Sequence, residues 1–222
     1  MDRRTAIAVA AFVFLVAATA GGVWIGQRTG LLAGATGADA ITAQRHTPTT
    51  APAAALAAAA LIGGPFSLTD QDGKAVTDAD LRGHWSLVFF GYTHCADVCP
   101  LTLQRVTDTL DDLGAQANTV VPYFITVDPE RDTQAVMREY ARHFHARLRA
   151  LTGTPVEVKA TADAYRVYYA RQTAAPGGDY EMDHTAIVYV LGPDAKYVAH
   201  FIPEAGAADM TAKLKSLLRS QG

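Results

Sequence analysis

The chain has 222 residues, 50% of them hydrophobic, with 19 basic and 22 acidic side chains for a formal net charge of −3. This is enough apolar material for one sizeable core, and the charge balance lacks the basic face that nucleic-acid binding calls for. Two cysteines are too few for a disulfide framework.

Arg3 and Arg4 precede an uncharged stretch in which residues 6–25 are predominantly apolar. About 20 such residues span a bilayer as a helix. Positive charge stays on the cytoplasmic side, so residues 1–27 are expected to form a single-pass anchor in the cytoplasmic membrane. The rest of the chain would then lie on the extracytoplasmic (periplasmic) side. The small residues at 18–20 also fit a cleavable signal peptide and the paired arginines an export signal. The apolar run continues through Val23, Trp24 and Ile25, which favours a retained anchor. Residues 28–63, rich in Ala, Pro and Thr, read as a tether, and residues 64–222 as the globular domain.

The domain opens with "PFSLTDQDGKAV", two short strands around a turn at residues 70–73. "WSLVFFGY" is a continuous apolar run, suited to a strand buried on both faces. After the cysteines, "PLTLQRVTDTLDDLG" sets Leu103, Val106, Leu110 and Leu113 at helical spacing. "TVVPYFITVD" is a second buried strand and "TQAVMREYARHFHARL" a helix. "TPVEVKATADAYRVYYAR" is another helix, with Thr154, Pro155 and Glu157 as a capping-box start. "TAIVYVL" and "KYVAHFI" form a hairpin around residues 192–194, and "AADMTAKLKSLLRS" closes as a helix. This order predicts an α/β domain, a mixed central sheet flanked by helices, as in the thioredoxin architecture.

Cys95 and Cys99 lie at i and i+4 at the start of a helix, so both sulfurs share one face near its positive end, which favours thiolate. Three readings compete. A structural disulfide would close a very short loop and stabilise little. A redox couple suits an oxidising compartment, but redox thioredoxins use a two-residue spacer and a cis-proline before the facing strand. Here the spacer has three residues and "MDHTAIVYV" has no such proline. The third reading is a metal. Paired thiolates select Cu(I), zinc or iron–sulfur chemistry, but the second cysteine pair that structural zinc or a cluster wants is missing. Two thiolates and one imidazole would suit low-coordinate Cu(I).

Of the seven histidines, His46 falls in the tether, and His143 and His145 on a solvated helix face. His84 and His200 fall at strand ends or outward positions. His94 adjoins Cys95 but points away from the shared face. His184 precedes a buried strand, where the thioredoxin cis-proline would be, and so lies opposite the cysteine loop. Asp183 is a candidate partner for its ring, or a cap. Met182 is a candidate soft ligand, more simply read as packing.

Together "FFGYTHCADVCP", "FITVDPERDT" and "YEMDHTAIVYVL" resemble the Sco/SenC family over residues 64–221: membrane-anchored, thioredoxin-fold copper proteins that help to assemble the CuA centre of cytochrome c oxidase. The resemblance implies copper, as Cu(I) and also Cu(II), held by Cys95, Cys99 and His184. It implies a copper chaperone without turnover of its own. Its partners would be the oxidase subunit carrying CuA and an upstream copper donor or thiol reductant. Asp128 and Asp132 match an acidic motif of the family near the site, as auxiliary or partner-facing groups; Asp132 could otherwise cap the helix that follows. Ala96 stands where the family commonly has proline, and Met182 where an aliphatic residue is common. The alternative function is a thiol–disulfide oxidoreductase, with Cys95 and Cys99 as a redox-active disulfide serving the oxidase subunit or another extracytoplasmic partner.

Overall fold

The computed structural model describes residues 62–172 and 180–220. The expected anchor and the tether up to residue 61 lie outside them. Among the described residues no helix is long and apolar enough to cross a membrane. β1 (Ser67–Asp70) and β2 (Ala75–Thr77) pair antiparallel. The Asp70 carboxylate closes their turn by accepting from the N–H groups of Asp72 and Lys74 at 3.0 and 2.9 Å. Gly73 takes φ +83° there, a conformation that favours glycine.

The chain continues through β3 (Trp85–Gly91), α1 (Val98–Leu113), β4 (Val120–Thr126), α2 (Gln134–Ala141), β5 (Arg149–Thr152) and α3 (Pro155–Ala164). Then come β6 (Tyr169–Arg171), β7 (Met182–His184), β8 (Val188–Leu191), β9 (Tyr197–Phe201) and α4 (Ala207–Arg219). Seven strands form one sheet in the order β2-β1-β5-β4-β3-β8-β9. β3, β4 and β5 run parallel, and β1 and β8 join them antiparallel. Every residue of β3 is buried, which is why its sequence is a continuous apolar run and not an alternating one. α1 buries Cys99, Leu103, Val106, Leu110 and Leu113 along one stripe, the pattern of a helix laid on a core. The mixed sheet with flanking helices is the expected thioredoxin-like architecture.

Two expected helices end early. α2 stops at Ala141, and residues 149–152 become β5, burying Ala150 and Leu151. β5 pairs parallel with β4 just past the stretch expected as helix, and the chain turns after Ala141 to reach it. His143 and His145 therefore sit beyond the helix and not on its face. α3 begins with the expected capping box at Thr154 and Glu157 but stops at Ala164. Arg166 turns to φ +58°, and Val167 N–H bonds back to Ala162 C=O at 2.8 Å, a Schellman ending. The next residues form β6, which pairs only with β7 in a separate two-stranded ribbon. β6 falls in the last residues of the stretch expected as helix, where pairing with β7 overrides local propensity.

Candidate metal site

The site is built where β3 leaves the sheet. Cys95 lies in the loop after β3, and Cys99 is the second residue of α1. The Asp97 side chain at the helix N-cap makes no capping bond. Instead the Cys99 N–H donates to Cys95 Sγ at 3.4 Å, so the sulfur takes the place of a capping oxygen at the positive helix end. Both cysteines are free thiols.

β7 brings His184 from the opposite side, with Tyr169 of β6 as its register partner. Its Nε2 lies 3.4 Å from Cys99 Sγ and its Nδ1 3.3 Å from Thr185 C=O. With Nδ1–H donating to that carbonyl, the Nε2 lone pair faces the sulfurs. The rings of Phe89 and Tyr92 stand edge-on to the imidazole, with centroids at 6.1 and 5.9 Å. The donor atoms of Cys95, Cys99 and His184 all lie within 4.8 Å of one another, and no other such group of three occurs among the described residues. A hydrogen bond from the Cys99 thiol, opposed by burial, holds Cys95 well below the usual thiol range. The same thiol–thiolate bond, together with burial, pushes Cys99 up. The shifts run in opposite directions, so Cys95 is the more acidic thiol of the pair.

Asp128 and Asp132 lie outside this group and are both buried. Asp132 does not cap α2; Thr133 does, its Oγ1 accepting from Val136 N–H at 3.4 Å. The Asp132 carboxylate accepts from Thr93 Oγ1 at 2.6 Å, Thr93 N–H at 3.1 Å and Thr126 Oγ1 at 2.6 Å. Burial pushes its carboxyl up, and these donors oppose the shift. Asp132 thus pins the cysteine loop, through Thr93, to the end of β4. Asp128 accepts from the Tyr180 hydroxyl at 2.8 Å and from the Arg131 guanidinium. Asp183 is not the partner of His184; it is exposed and accepts from the Gln172 amide at 2.6 Å. Met182 is buried in the core. His94 is exposed and lies 3.2 Å from Thr93 Oγ1. His84 bonds Tyr123, and His200 bonds Tyr197.

Sequence reasoning missed Gly91, Tyr92, Thr93 and Thr126. A Cβ on Gly91 would lie 2.7 Å from Cys99 Sγ and 2.9 Å from the Phe124 ring. A glycine ending a run of bulky apolar residues is the signal that could have found it.

The fold and the convergence of the three side chains define a thioredoxin-like protein with a Cys–Cys–His cluster at the end of its central strand. The model of the SCO1/SenC family matches residues 54–219, and the chain belongs to that family. A human relative, "Protein SCO1 homolog, mitochondrial", is 40% identical over 161 residues, 72% of this chain and 54% of the relative. The chain spans about half the length of the curated relatives it matches first. Copper-bound ScoI of Arabidopsis thaliana is 39% identical with a TM-score of 0.68, over 72% of this chain and 99% of that chain. Copper-bound ScoI of Bradyrhizobium japonicum is 46% identical with a TM-score of 0.65, over 70% and 98%. BsSco, described as a member of the Sco family of cytochrome c oxidase assembly proteins with a disulfide switch, is 28% identical with a TM-score of 0.56, over 70% and 92%.

Proposed function

We propose that this protein is a copper chaperone, holding copper through Cys95, Cys99 and His184 and delivering it for assembly of the CuA site of cytochrome c oxidase. The observation that carries the reading is the approach of two sulfurs and one imidazole nitrogen to within 4.8 Å of one another. Two thiolates and an imidazole are soft and borderline donors in a low-coordinate set, which suits Cu(I); Cu(II) is the second form taken. Copper is the cargo. Cys95 presents a thiolate, Cys99 gives up its remaining proton on binding, and the Thr185 carbonyl keeps His184 in the tautomer that offers Nε2. Residues 1–27 would anchor the chain in the cytoplasmic membrane. Residues 28–63 would tether residues 64–222 on the extracytoplasmic side, within reach of the oxidase subunit and of a copper donor or thiol reductant.

The full-length chain, reduced and kept from oxygen, is titrated with Cu(I) against a competing chelator. Wild type should bind well below micromolar, and His184→Ala should weaken binding about 10-fold or more. Binding no tighter than about micromolar, or an unaffected His184→Ala variant, would overturn the reading. Alkaline extraction of membranes should leave the chain in the pellet; release into the wash would contradict the anchor. A second reading, thiol–disulfide exchange with a partner protein, is favoured by the thiolate character of Cys95 and by its closeness to Cys99. It predicts disulfide reduction that survives His184→Ala.

A further inference from the structure

Tyr92 touches two residues of the donor group, Cys95 and His184. It follows β3 directly and is 3% exposed. Its carbonyl accepts from the Cys95 N–H at 3.4 Å. Its ring meets the His184 imidazole at 5.9 Å between centroids and 88° between planes. Its hydroxyl donates to the Glu181 carboxylate, three residues ahead of His184. The guanidinium of Arg131 lies over the Tyr92 ring, 5.8 Å from its centroid.

These contacts matter because β7 is weakly held by its backbone. Among the described residues it pairs with β6 alone, with one further backbone bond at each end (Gln172 N–H to Glu181 C=O at 2.8 Å and Thr185 N–H to Tyr168 C=O at 2.9 Å), and it belongs to no larger sheet. Isolated two-stranded ribbons are marginal on their own. Side chains add to the ribbon's hold: Met182 is buried in the core, Tyr180 bonds Asp128, and the Tyr92–Glu181 bond alone ties the ribbon to the residue that leads into the cysteine loop.

We propose that Tyr92 and Glu181 form a clasp that positions His184 against Cys95 and Cys99 and so sets how far the imidazole takes part in binding. The inference rests on the copper reading above for its consequence, which is a choice between oxidation states. Cu(I) is satisfied by two thiolates in low coordination, whereas Cu(II) favours a fuller set that includes nitrogen. Opening the clasp costs Cu(II) more than Cu(I).

Three variants of the full-length chain test it. Tyr92→Phe keeps the ring and deletes the donor, Glu181→Leu deletes the acceptor at an exposed position, and Glu181→Gln retains an acceptor. In the metal-free reduced protein, NMR should give one sharp set of His184 ring resonances for wild type and Glu181→Gln. Tyr92→Phe and Glu181→Leu should give broadened or split sets. With copper, the two deleting variants should lose about 10-fold in Cu(II) affinity, with weakened nitrogen coupling in the Cu(II) EPR spectrum and a clearly smaller loss for Cu(I). Unchanged His184 resonances in both deleting variants, or equal losses for the two oxidation states, would overturn the clasp. A wild type that binds neither form of copper overturns the proposed function instead, and the NMR comparison then decides the clasp by itself.

Discussion

At Gly91 the space for a side chain is already taken by the Cys99 sulfur, 2.7 Å from where a Cβ would stand, and by the Phe124 ring. The neighbours there belong to a buried strand and to the first turn of a helix, so neither yields cheaply. Gly91→Ala should cost about 1–3 kcal/mol in urea unfolding and should weaken copper binding by pushing the Cys99 sulfur off its position. Unchanged stability and affinity would show that the space is not needed. The chemistry-bearing residues were legible because their types and spacing speak locally: cysteines at i and i+4, and a histidine just before a buried strand. Their supports were not. Thr93 and Asp132 are 39 positions apart, and Tyr92 and Glu181 are 89 apart. No pattern in either neighbourhood announces such a pair; it exists only once β3, β4 and β7 are placed.

At the scale of elements, β3, β4 and α1 could be read from the sequence because burial imposes a period on them. β5, β6 and β7 could not, because short strands take their identity from the partner they pair with. The hairpin of β1 and β2 is fastened to β5 by one such partnership, an ion pair between Asp70 and Arg149 at 3.0 Å. Burial alone would raise the Asp70 carboxyl. The Lys74 N–H, the Arg149 guanidinium and the Asp72 N–H outweigh it and hold the group below its usual range. A carboxyl depressed in the folded state contributes stability that is fully present above its unfolded pKa of about 3.9 and is lost as pH falls through the folded value. Thermal melts should therefore show wild type losing more stability than Asp70→Asn on acidification below about pH 4. Parallel losses would mean that the pair is not part of the acid response.

For the whole molecule, a ligand that binds only the folded chain adds stability in proportion to the logarithm of its excess. Cu(I) at about 100 times its dissociation constant adds about 2.7 kcal/mol. The melting temperature should rise by several degrees with Cu(I), fall back when a strong Cu(I) chelator is added, and rise by about half as much or less in His184→Ala. A rise of equal size in that variant would point to binding elsewhere. The layered α/β plan was legible as a whole because the order of buried strands and amphipathic helices restricts the topologies open to it. The three donors nonetheless differ in how they meet the outside. Cys99 has no exposed surface, whereas Cys95 and His184 are half-buried. The site therefore has a front and a back. Under the proposed role an incoming donor atom would meet the Cys95 edge first, with Cys99 holding from behind. Under the proposed chaperone role, transfer would run in one order, with the outer sulfur leaving first and the inner one last.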